Sequence, residues 1–437
     1  MARLSTLAGR ALGDRRFAGI ISAIVGSNLV TSALGMVFWM LATRGLVPEE
    51  IGVLGAATAA MSLFGTLGAM GLGPLLIAEL PGLREDGRHE LFALCVLVAF
   101  GVGAVSAGVF AAVAAPLHPT WAPLGPPDAA WWWFVLGSGL TATGLVLDQA
   151  MLVVGNPQLQ VVRNLIASAW KVAVLAVAVP LAALDLDLAL LAWSTGMFVA
   201  TAMAIVAARR RMPSRVGGLR RHGREVWRTY LGRALEHSGV NYAISLSPML
   251  MPPLMAVLVP PFENGIFTTV RLATLFAFLL PYAVSVSVFA RASGNEDVDG
   301  AYLRRVLWLS LGLSTLTVVA MVALAHPILL LFGREYADAG VDYLRLMVLA
   351  GPLLVFKDNF IARRRIERRV RSLLPFVAIS AVLEVGLTIA GALMFGLMGG
   401  LAGWLLALLL QAIWCAPRLI TDPAPRRAPN TAAADEG

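Results

Sequence analysis

Long apolar segments recur along the whole chain, and they constrain its fold more than any other feature. A helix needs about 20 apolar residues to cross a bilayer, and segments of this length are separated by short polar connections. Only 14% of the residues are charged, against roughly 25% in a soluble globular domain. We therefore predict an all-α polytopic membrane protein with about 12 transmembrane helices. The predicted spans lie near residues 17–43, 51–77, 90–115, 130–154, 164–184, 188–208, 235–259, 264–290, 303–332, 340–361, 373–395 and 397–417.

Basic residues fall almost entirely in alternate loops. If the N-terminus is inside, the outer loops hold only Arg44 and Arg334 of the 34 basic residues. Cytoplasmic loops are enriched in Lys and Arg, so both termini are predicted to be cytoplasmic. The apolar run after the basic segment Met1–Arg16 is then a first span and not a removable signal. This distribution explains the net charge of +8 without a nucleic-acid partner. Thirty-two of the 34 basic residues are arginine, a bias that indicates a GC-rich bacterial genome.

A loop rich in arginine, Arg209–Arg233, divides the chain into two groups of six predicted helices. Gly26-Ser27-Asn28 in the first group matches Gly239-Val240-Asn241 in the second, and the segments that follow these helices match at nearly the same offset. Two halves that start in the same orientation form a parallel repeat, and transporters place a substrate path between such halves. The predicted division is residues 1–208, the connecting loop 209–233, residues 234–418 and a disordered cytoplasmic tail, 419–437. Asn28 and Asn241 are candidates for the central cavity.

The sequence contains no metal-ligand cluster, phosphate-binding glycine loop or nucleophile–base arrangement. Its two cysteines, Cys95 and Cys415, lie in apolar runs and are expected to be buried hydrophobic residues. The longest predicted outer loop, Pro116–Ala129, is too short to hold a catalytic domain. We therefore predict a transporter and not an enzyme, with no metal site and no cofactor.

Ionisable residues inside the predicted helices are the candidates for function, because each costs roughly 2.5–3.5 kcal/mol to insert. Asp148 and Lys171 lie at similar predicted depths in consecutive antiparallel helices. They either form a structural ion pair or handle substrate or protons. Arg271 is flanked by Thr268, Thr269 and Thr274. It is suited to bidentate phosphate binding, or it extends to the outer interface.

Four further charged residues complete the set. Arg345 lies nearer the outer end of its helix, where extension to the interface is favoured over substrate binding. Lys357 and Asp358 are expected at the inner interface. Glu384 lies near the middle of its helix, as a buried partner or a protonatable coupling site. Pro248, Pro252 and Pro253 predict a bent helix.

Several motifs resemble one known family. The segment Ala42–Gly52, the turn Leu331–Ala339, Leu147-Asp148-Gln149-Ala150 and Arg163-Asn164-Leu165 are similar to bacterial polysaccharide-export flippases. These belong to the multidrug/oligosaccharidyl-lipid/polysaccharide (MOP) exporter superfamily. The resemblance implies a MOP/MATE-like fold of two pseudo-symmetric six-helix bundles.

The same resemblance implies a function. Its members would move a polyprenyl-diphosphate-linked oligosaccharide from the inner to the outer leaflet by alternating access, around a cationic cavity and without an ATP site. The implied partners are the lipid-linked oligosaccharide, the bilayer and polysaccharide assembly proteins. Coupling would use a proton or sodium gradient or the membrane potential.

Rival functions differ in what they require. A cation-coupled drug antiporter of the same superfamily needs protonatable acids, for which Asp148 and Glu384 are candidates. A major facilitator carrier should show a basic-glycine signature between helices 2 and 3, where Ala78–Arg88 stands instead. A polytopic ligase or polymerase should carry a sizeable catalytic outer loop, and a scaffold would bind partners through its arginine-rich loops without transport.

Overall fold

The computed structural model describes residues 30–83, 85–153, 157–211, 249–275, 278, 300–367 and 370–421. Within these residues the regular structure is helical, with no β-strand. The chain divides into two compact units. The first comprises Met1–Leu46 and Ala57–Ser238, and the second comprises Val47–Ala56 and Gly239–Gly437. The predicted connecting loop beyond Arg211, and the predicted tail beyond Thr421, lie outside the described residues. Residues 209–211 and 419–421, predicted as loop and tail, belong to helices instead.

Helices α1 to α7 supply the described part of the first unit, except that the start of α2, through Ala56, belongs to the second unit. They are residues 30–45 (α1), Pro48–Ala69 (α2), Leu72–Glu79 (α3), Glu85–Ala114 (α4), Ala129–Val153 (α5), Pro157–Ala178 (α6) and Leu186–Arg211 (α7). Helix α5 is central, since α3, α4, α6 and α7 all pack against it. Small residues allow these close contacts: a Cβ added at Gly103 on α4 would lie 3.0 Å from the Ser138 carbonyl oxygen on α5.

The second unit contains helices α8 to α14. They are Met249–Leu258 (α8), residues 261–275 (α9), Gly300–Ala323 (α10), Ala325–Leu330 (α11), Arg334–Val348 (α12), Ala350–Ile366 (α13) and Leu374–Thr421 (α14). Helix α10 ends four residues before Pro327, as expected because a proline ring clashes with the carbonyl four residues earlier. Helical conformation continues through Pro252 and Pro253 in α8.

Helix α14 is two helices joined at a sharp break. Gly396 has φ +59° and ψ −147°, a conformation that disfavours any residue with a Cβ. The Leu397 amide that follows donates to Oε2 of Glu263 on α9, at 3.3 Å. Glu263 therefore caps the last helical segment of the chain, by satisfying an amide that has no partner within its own helix. The break falls between the two predicted spans 373–395 and 397–417.

Eight described stretches are long and apolar enough to cross a membrane. They correspond to nine of the predicted spans, because Leu374–Ile420 includes most of the last two. The other three predicted spans include residues outside the described ranges. The chain is therefore a multi-pass membrane protein with an all-helical fold, as predicted.

Several helix boundaries differ from their predictions, and one of them, the start of α6, matters for the ionisable residues. Helix α6 begins at Pro157, seven residues before the predicted start. Gln158, Gln160 and Arg163 lie in its first two turns, and these polar residues concealed the boundary in a search for apolar runs. Proline at the first helical position is favourable because its missing N–H would have no partner there.

Some helix boundaries recur at the offset of the sequence match. Helix α2 starts at Pro48 and α9 at Pro261; α5 ends at Val153 and α13 at Ile366. Both pairs share the offset of 213 that relates Asn28 to Asn241. These equivalent helices in the two halves therefore have corresponding ends.

Two equivalent glycines allow α2 and α9 to cross closely within the second unit. A Cβ added at Gly52 would lie 2.7 Å from the Pro261 carbonyl oxygen, and one added at Gly265 would overlap the Pro48 carbonyl. The buried Asn264 side chain donates to the Gly52 carbonyl at 2.9 Å. The contact is reciprocal, because each glycine faces the proline that begins the other helix.

Substitution of Gly265 with valine is expected to destabilise the second unit by about 1–3 kcal/mol, because the added side chain meets backbone that cannot rotate away. Gly386→Val is the matched control, since nothing lies within 4 Å of its built Cβ. Thermal unfolding in detergent, followed by loss of monodisperse protein, measures the difference. Equal midpoints for the two variants would show that the crossing tolerates a wider separation.

Candidate functional site

Asp148 on α5 is paired with Arg163 on α6, and not with Lys171 as the sequence suggested. Arg163 Nε lies 3.1 Å from Asp148 Oδ1, and Nη2 lies 2.7 Å from Oδ2. Nη2 also donates to the Asn164 side chain at 2.8 Å. The side chains of Arg163 and Asp148 are only 8% and 18% exposed. This two-point contact between guanidinium and carboxylate is the strong form of an ion pair.

The earlier start of α6 explains the change of partner. Asp148 lies five residues before the end of α5, and Arg163 lies six residues after the start of α6. Lys171 lies 14 residues after that start, about 12 Å further along the helix than Arg163. A glycine also makes room for the guanidinium, because a Cβ added at Gly144 would lie 2.5 Å from Arg163 Nη1.

Lys171 lies against aromatic rings instead of a carboxylate. Its Nζ is 3.7 Å from the ring centroid of Trp193 on α7 and 5.7 Å from that of Phe38 on α1. Phe38 and Trp193 themselves meet edge to face, with centroids 5.2 Å apart. A ring face attracts a cation but does not neutralise its charge. No ion pair joins Lys171 to another described residue.

Arg271 on α9 also lacks a carboxylate partner among the described residues. Its Nε is buried and has no hydrogen-bond partner there. Its sequence neighbours Thr268, Thr269 and Thr274 are buried, but Thr269 and Thr274 donate their hydroxyls to backbone carbonyls of their own helix, those of Gly265 and Val270. The guanidinium therefore keeps an unused donor in the interior of the second unit.

Glu384 on α14 is a buried partner. Lys357 Nζ lies 2.5 Å from Glu384 Oε1, and Gln411 Nε2 donates to the same oxygen at 3.0 Å. The Lys357 and Glu384 side chains are 12% and 5% exposed. Lys357 was expected at the inner interface. Its side chain is buried against Glu384, which the four-carbon chain reaches from α13.

The remaining candidates do not join these clusters. Arg345 is 51% exposed, and its Nη1 lies 3.4 Å from Asp342 on the same helix; its extension to the outer interface stays a prediction. Asn28 and Asn241 lie outside the described residues, and their assignment to a cavity stays a prediction. No group of three or more metal-ligating side chains occurs within the described ranges.

Comparisons with known proteins identify the fold. A family model described as MatE matches residues 265–390, and a search of curated proteins finds no match. The lipid II flippase MurJ in an inward closed conformation aligns with TM-score 0.69 at 12% identity, over 92% of this chain and 88% of that chain. An inward-facing multidrug resistance MATE family transporter of the MOP superfamily aligns with TM-score 0.66 at 13% identity, over 89% and 94%. The MATE multidrug transporter DinF-BH aligns with TM-score 0.60 at 17% identity, over 92% and 94%.

The fold is that of the MATE transporters. The predicted MOP/MATE-like fold class is thus confirmed. At these identities the likeness concerns the fold, and the solved structures that share it include both a lipid flippase and drug transporters. The polysaccharide-export family stays a prediction.

Within this MATE-type fold, both units carry an ion pair between the same two helices of the repeat. In the first unit the acid is on α5 and the cation on α6. In the second unit the cation, Lys357, is on α13 and the acid, Glu384, on α14. The repeat offset of 213 places Lys171 and Glu384 at equivalent positions. The halves have therefore diverged to opposite charge at one site.

Sequence inspection missed Arg163 and Gln411 as partners. Arg163 was assigned to a cytoplasmic loop because the start of α6 was placed after it. Gln411 gave no signal, since an uncharged amide in an apolar run ranks below the charged residues. A test for polar residues at helical spacing upstream of residue 164 would have found Arg163.

Proposed function

We propose that the chain is a membrane flippase for a polyprenyl-diphosphate-linked oligosaccharide, which it moves from the inner to the outer leaflet by alternating access. The proposal rests on one observation above all. Asp148 and Glu384 are each paired with a cation, while Lys171 and Arg271 are not paired with an acid among the described residues. With Asp358 on α13 included, four cations stand against three acids among these residues, which leaves one positive charge in excess.

An anionic cargo accounts for that surplus. An isolated cation in a span costs roughly 2.5–3.5 kcal/mol and is retained only where something compensates for it. A diphosphate offers oxygen acceptors that suit the free Nε of Arg271 and equally the Lys171 ammonium. A cationic drug would be repelled by both groups.

The membrane potential would favour this direction of transport. Moving one elementary charge across 100 mV is worth about 2.3 kcal/mol. An anionic diphosphate that leaves a negative cytoplasm moves down that gradient. Coupling to the potential, or to a proton or sodium gradient, therefore needs no nucleotide and no cofactor. Consistent with the arginine distribution, we place both termini in the cytoplasm of a bacterial cell and the protein in its inner membrane.

A MATE-type drug antiporter is the second candidate. The MatE match and the likeness to DinF-BH favour it. The pairing of the acids argues against the antiporter, because each candidate coupling carboxylate, Asp148 and Glu384, already has a cation at hydrogen-bond distance.

Deletion of the gene should cause a lipid-linked oligosaccharide to accumulate on the inner leaflet, and the protein in proteoliposomes should move a polyprenyl-diphosphate sugar to the opposite leaflet. A cationic dye in the same vesicles is the discriminating control. Dye export without movement of the lipid-linked sugar would establish the antiporter. Movement of neither would exclude both candidates.

A further inference from the structure

The last two turns of α14 carry an arginine that is held against an exposed aromatic ring. Arg418 Cζ lies 3.8 Å from the ring centroid of Trp414, and Arg418 Nη1 donates to the Trp414 carbonyl oxygen at 2.6 Å. Trp414 is itself 40% exposed. Because the guanidinium plane is already oriented by the ring, the side chain loses less rotamer freedom when it binds a ligand.

Arg418 also keeps unused hydrogen-bond donors. It forms no ion pair with an acid among the described residues, and no described acceptor bonds its Nε or Nη2. By contrast, Arg363 and Arg364 on α13 share the carboxylate of Glu367, at 3.1 and 3.0 Å. Arg363 Nη1 lies 3.5 Å from the carbonyl oxygens of Arg418 and Leu419, which places these arginines at the same end of the second unit. The three arginines and one glutamate leave two positive charges uncompensated.

An exposed apolar stripe runs along α14 toward this arginine. Its members recur at intervals of three and four residues, the spacing of one helix face. They are Leu406, Leu410, Ile413, Pro417 and Ile420. Arg418 lies two residues before the end of the apolar stretch Leu374–Ile420, so it borders the stripe at the edge of the span. On a membrane-spanning helix, an apolar face of this kind contacts lipid acyl chains.

We propose that this end of α14 binds an anionic phospholipid, with the headgroup phosphate on Arg418 and an acyl chain along the stripe. A phosphodiester offers oxygen acceptors to the unused guanidinium nitrogens. A free phosphate would gain nothing from the apolar stripe, whereas a lipid buries its chain there. A group of arginines beside a span also attracts anionic headgroups, and the sequence adds Arg365, Arg368, Arg369 and Arg371. The lipid is a bound ligand of the fold, whatever the cargo is.

Thermal unfolding of the purified full chain in detergent tests the proposal, with increasing amounts of phosphatidylglycerol or of phosphatidylcholine with the same acyl chains. Phosphatidylglycerol should raise the wild-type midpoint by several degrees, with saturation, since a ligand that binds the folded state stabilises it. Phosphatidylcholine, whose headgroup carries no net charge, should give a smaller shift. Glycerol 3-phosphate at the same concentration should give none, because it has no acyl chain.

Variants of Arg418 identify the phosphate contact. Arg418→Gln should weaken the apparent affinity for phosphatidylglycerol about tenfold or more, as expected for loss of a hydrogen bond between charged groups. Arg418→Lys keeps the charge but not the planar group, and should lie between this variant and wild type. Arg305→Gln removes an exposed arginine from the first turns of α10 and is the matched control, with wild-type affinity. Native mass spectrometry of the lipids retained by each variant should give the same order without depending on stability.

Three results would overturn the proposal. The first is equal, saturable stabilisation by the two phospholipids. The second is an affinity for phosphatidylglycerol that is the same in Arg418→Gln and Arg305→Gln. The third is stabilisation by glycerol 3-phosphate that matches that of the lipid, which would assign Arg418 to a free phosphate ligand. None of these measurements uses transport, so failure here is distinct from failure of the flippase assay.

Discussion

Replacing Arg163 with methionine is expected to lower the free energy of unfolding by about 3–5 kcal/mol, the usual cost of leaving one charge of a buried pair without its partner. The Asp148 carboxylate would keep its buried position between α5 and α6 but lose both guanidinium contacts. The space at Gly144 that accommodates the guanidinium would be filled by an apolar side chain that offers the carboxylate no donor. Unfolding in detergent, followed by tryptophan fluorescence, measures the loss.

A double variant distinguishes the charge from the packing. Asp148→Asn with Arg163→Met removes both charges, and should recover much of the loss because no uncompensated ion remains. Arg305→Met, at an exposed position of α10, is the matched single substitution and should change stability little. A double variant no more stable than Arg163→Met alone would show that the two charges act independently.

The second large effect concerns transport. Arg271→Met is expected to reduce flipping of a polyprenyl-diphosphate sugar on the order of 30-fold or more, because loss of a buried charged contact costs about 2–5 kcal/mol. Lys171→Met should also reduce it. Arg271→Lys keeps the charge but not the two-point geometry, and should retain intermediate activity. The rate of appearance of the sugar on the outer leaflet of proteoliposomes measures all of these.

Each variant must fold and express at least as well as wild type for that comparison to hold. Removing an unpaired buried cation should, if anything, raise the unfolding midpoint, since the cost of its desolvation disappears. A variant that unfolds later but transports less would therefore assign Arg271 to the cargo. Wild-type flipping by Arg271→Met and Lys171→Met alike would remove the basis of the anionic-cargo proposal.

The helices were largely predictable because spanning a bilayer imposes a length and an apolar composition that can be counted directly. The break before Leu397 was predictable for the same reason, since an apolar stretch of 47 residues exceeds one crossing. The start of α6 was not predictable from apolar length, because the first turns of this helix are polar and only its later turns are apolar. That single error changed the depth of Lys171 and hence the partner assigned to Asp148.

The ion pairs were predictable only in part. The sequence identifies Asp148, Lys171 and Glu384 as residues with a high free energy of membrane insertion, because that energy depends on charge and depth alone. It did not identify their partners. Which cation contacts which acid depends on the rotation of the helices and the length of the side chains. Lys357 and Glu384 are 27 residues apart in the sequence, and Lys357 was predicted to lie at the interface.

The backbone amide of Leu397 can report a displacement of α9. Glu263 holds that amide from the same helix that carries Arg271, two turns further on. A movement of α9 that withdraws the carboxylate would leave the amide open to exchange with solvent deuterium wherever water reaches it. Hydrogen exchange at this one backbone position, with and without a diphosphate lipid, would therefore record whether cargo binding displaces the helix.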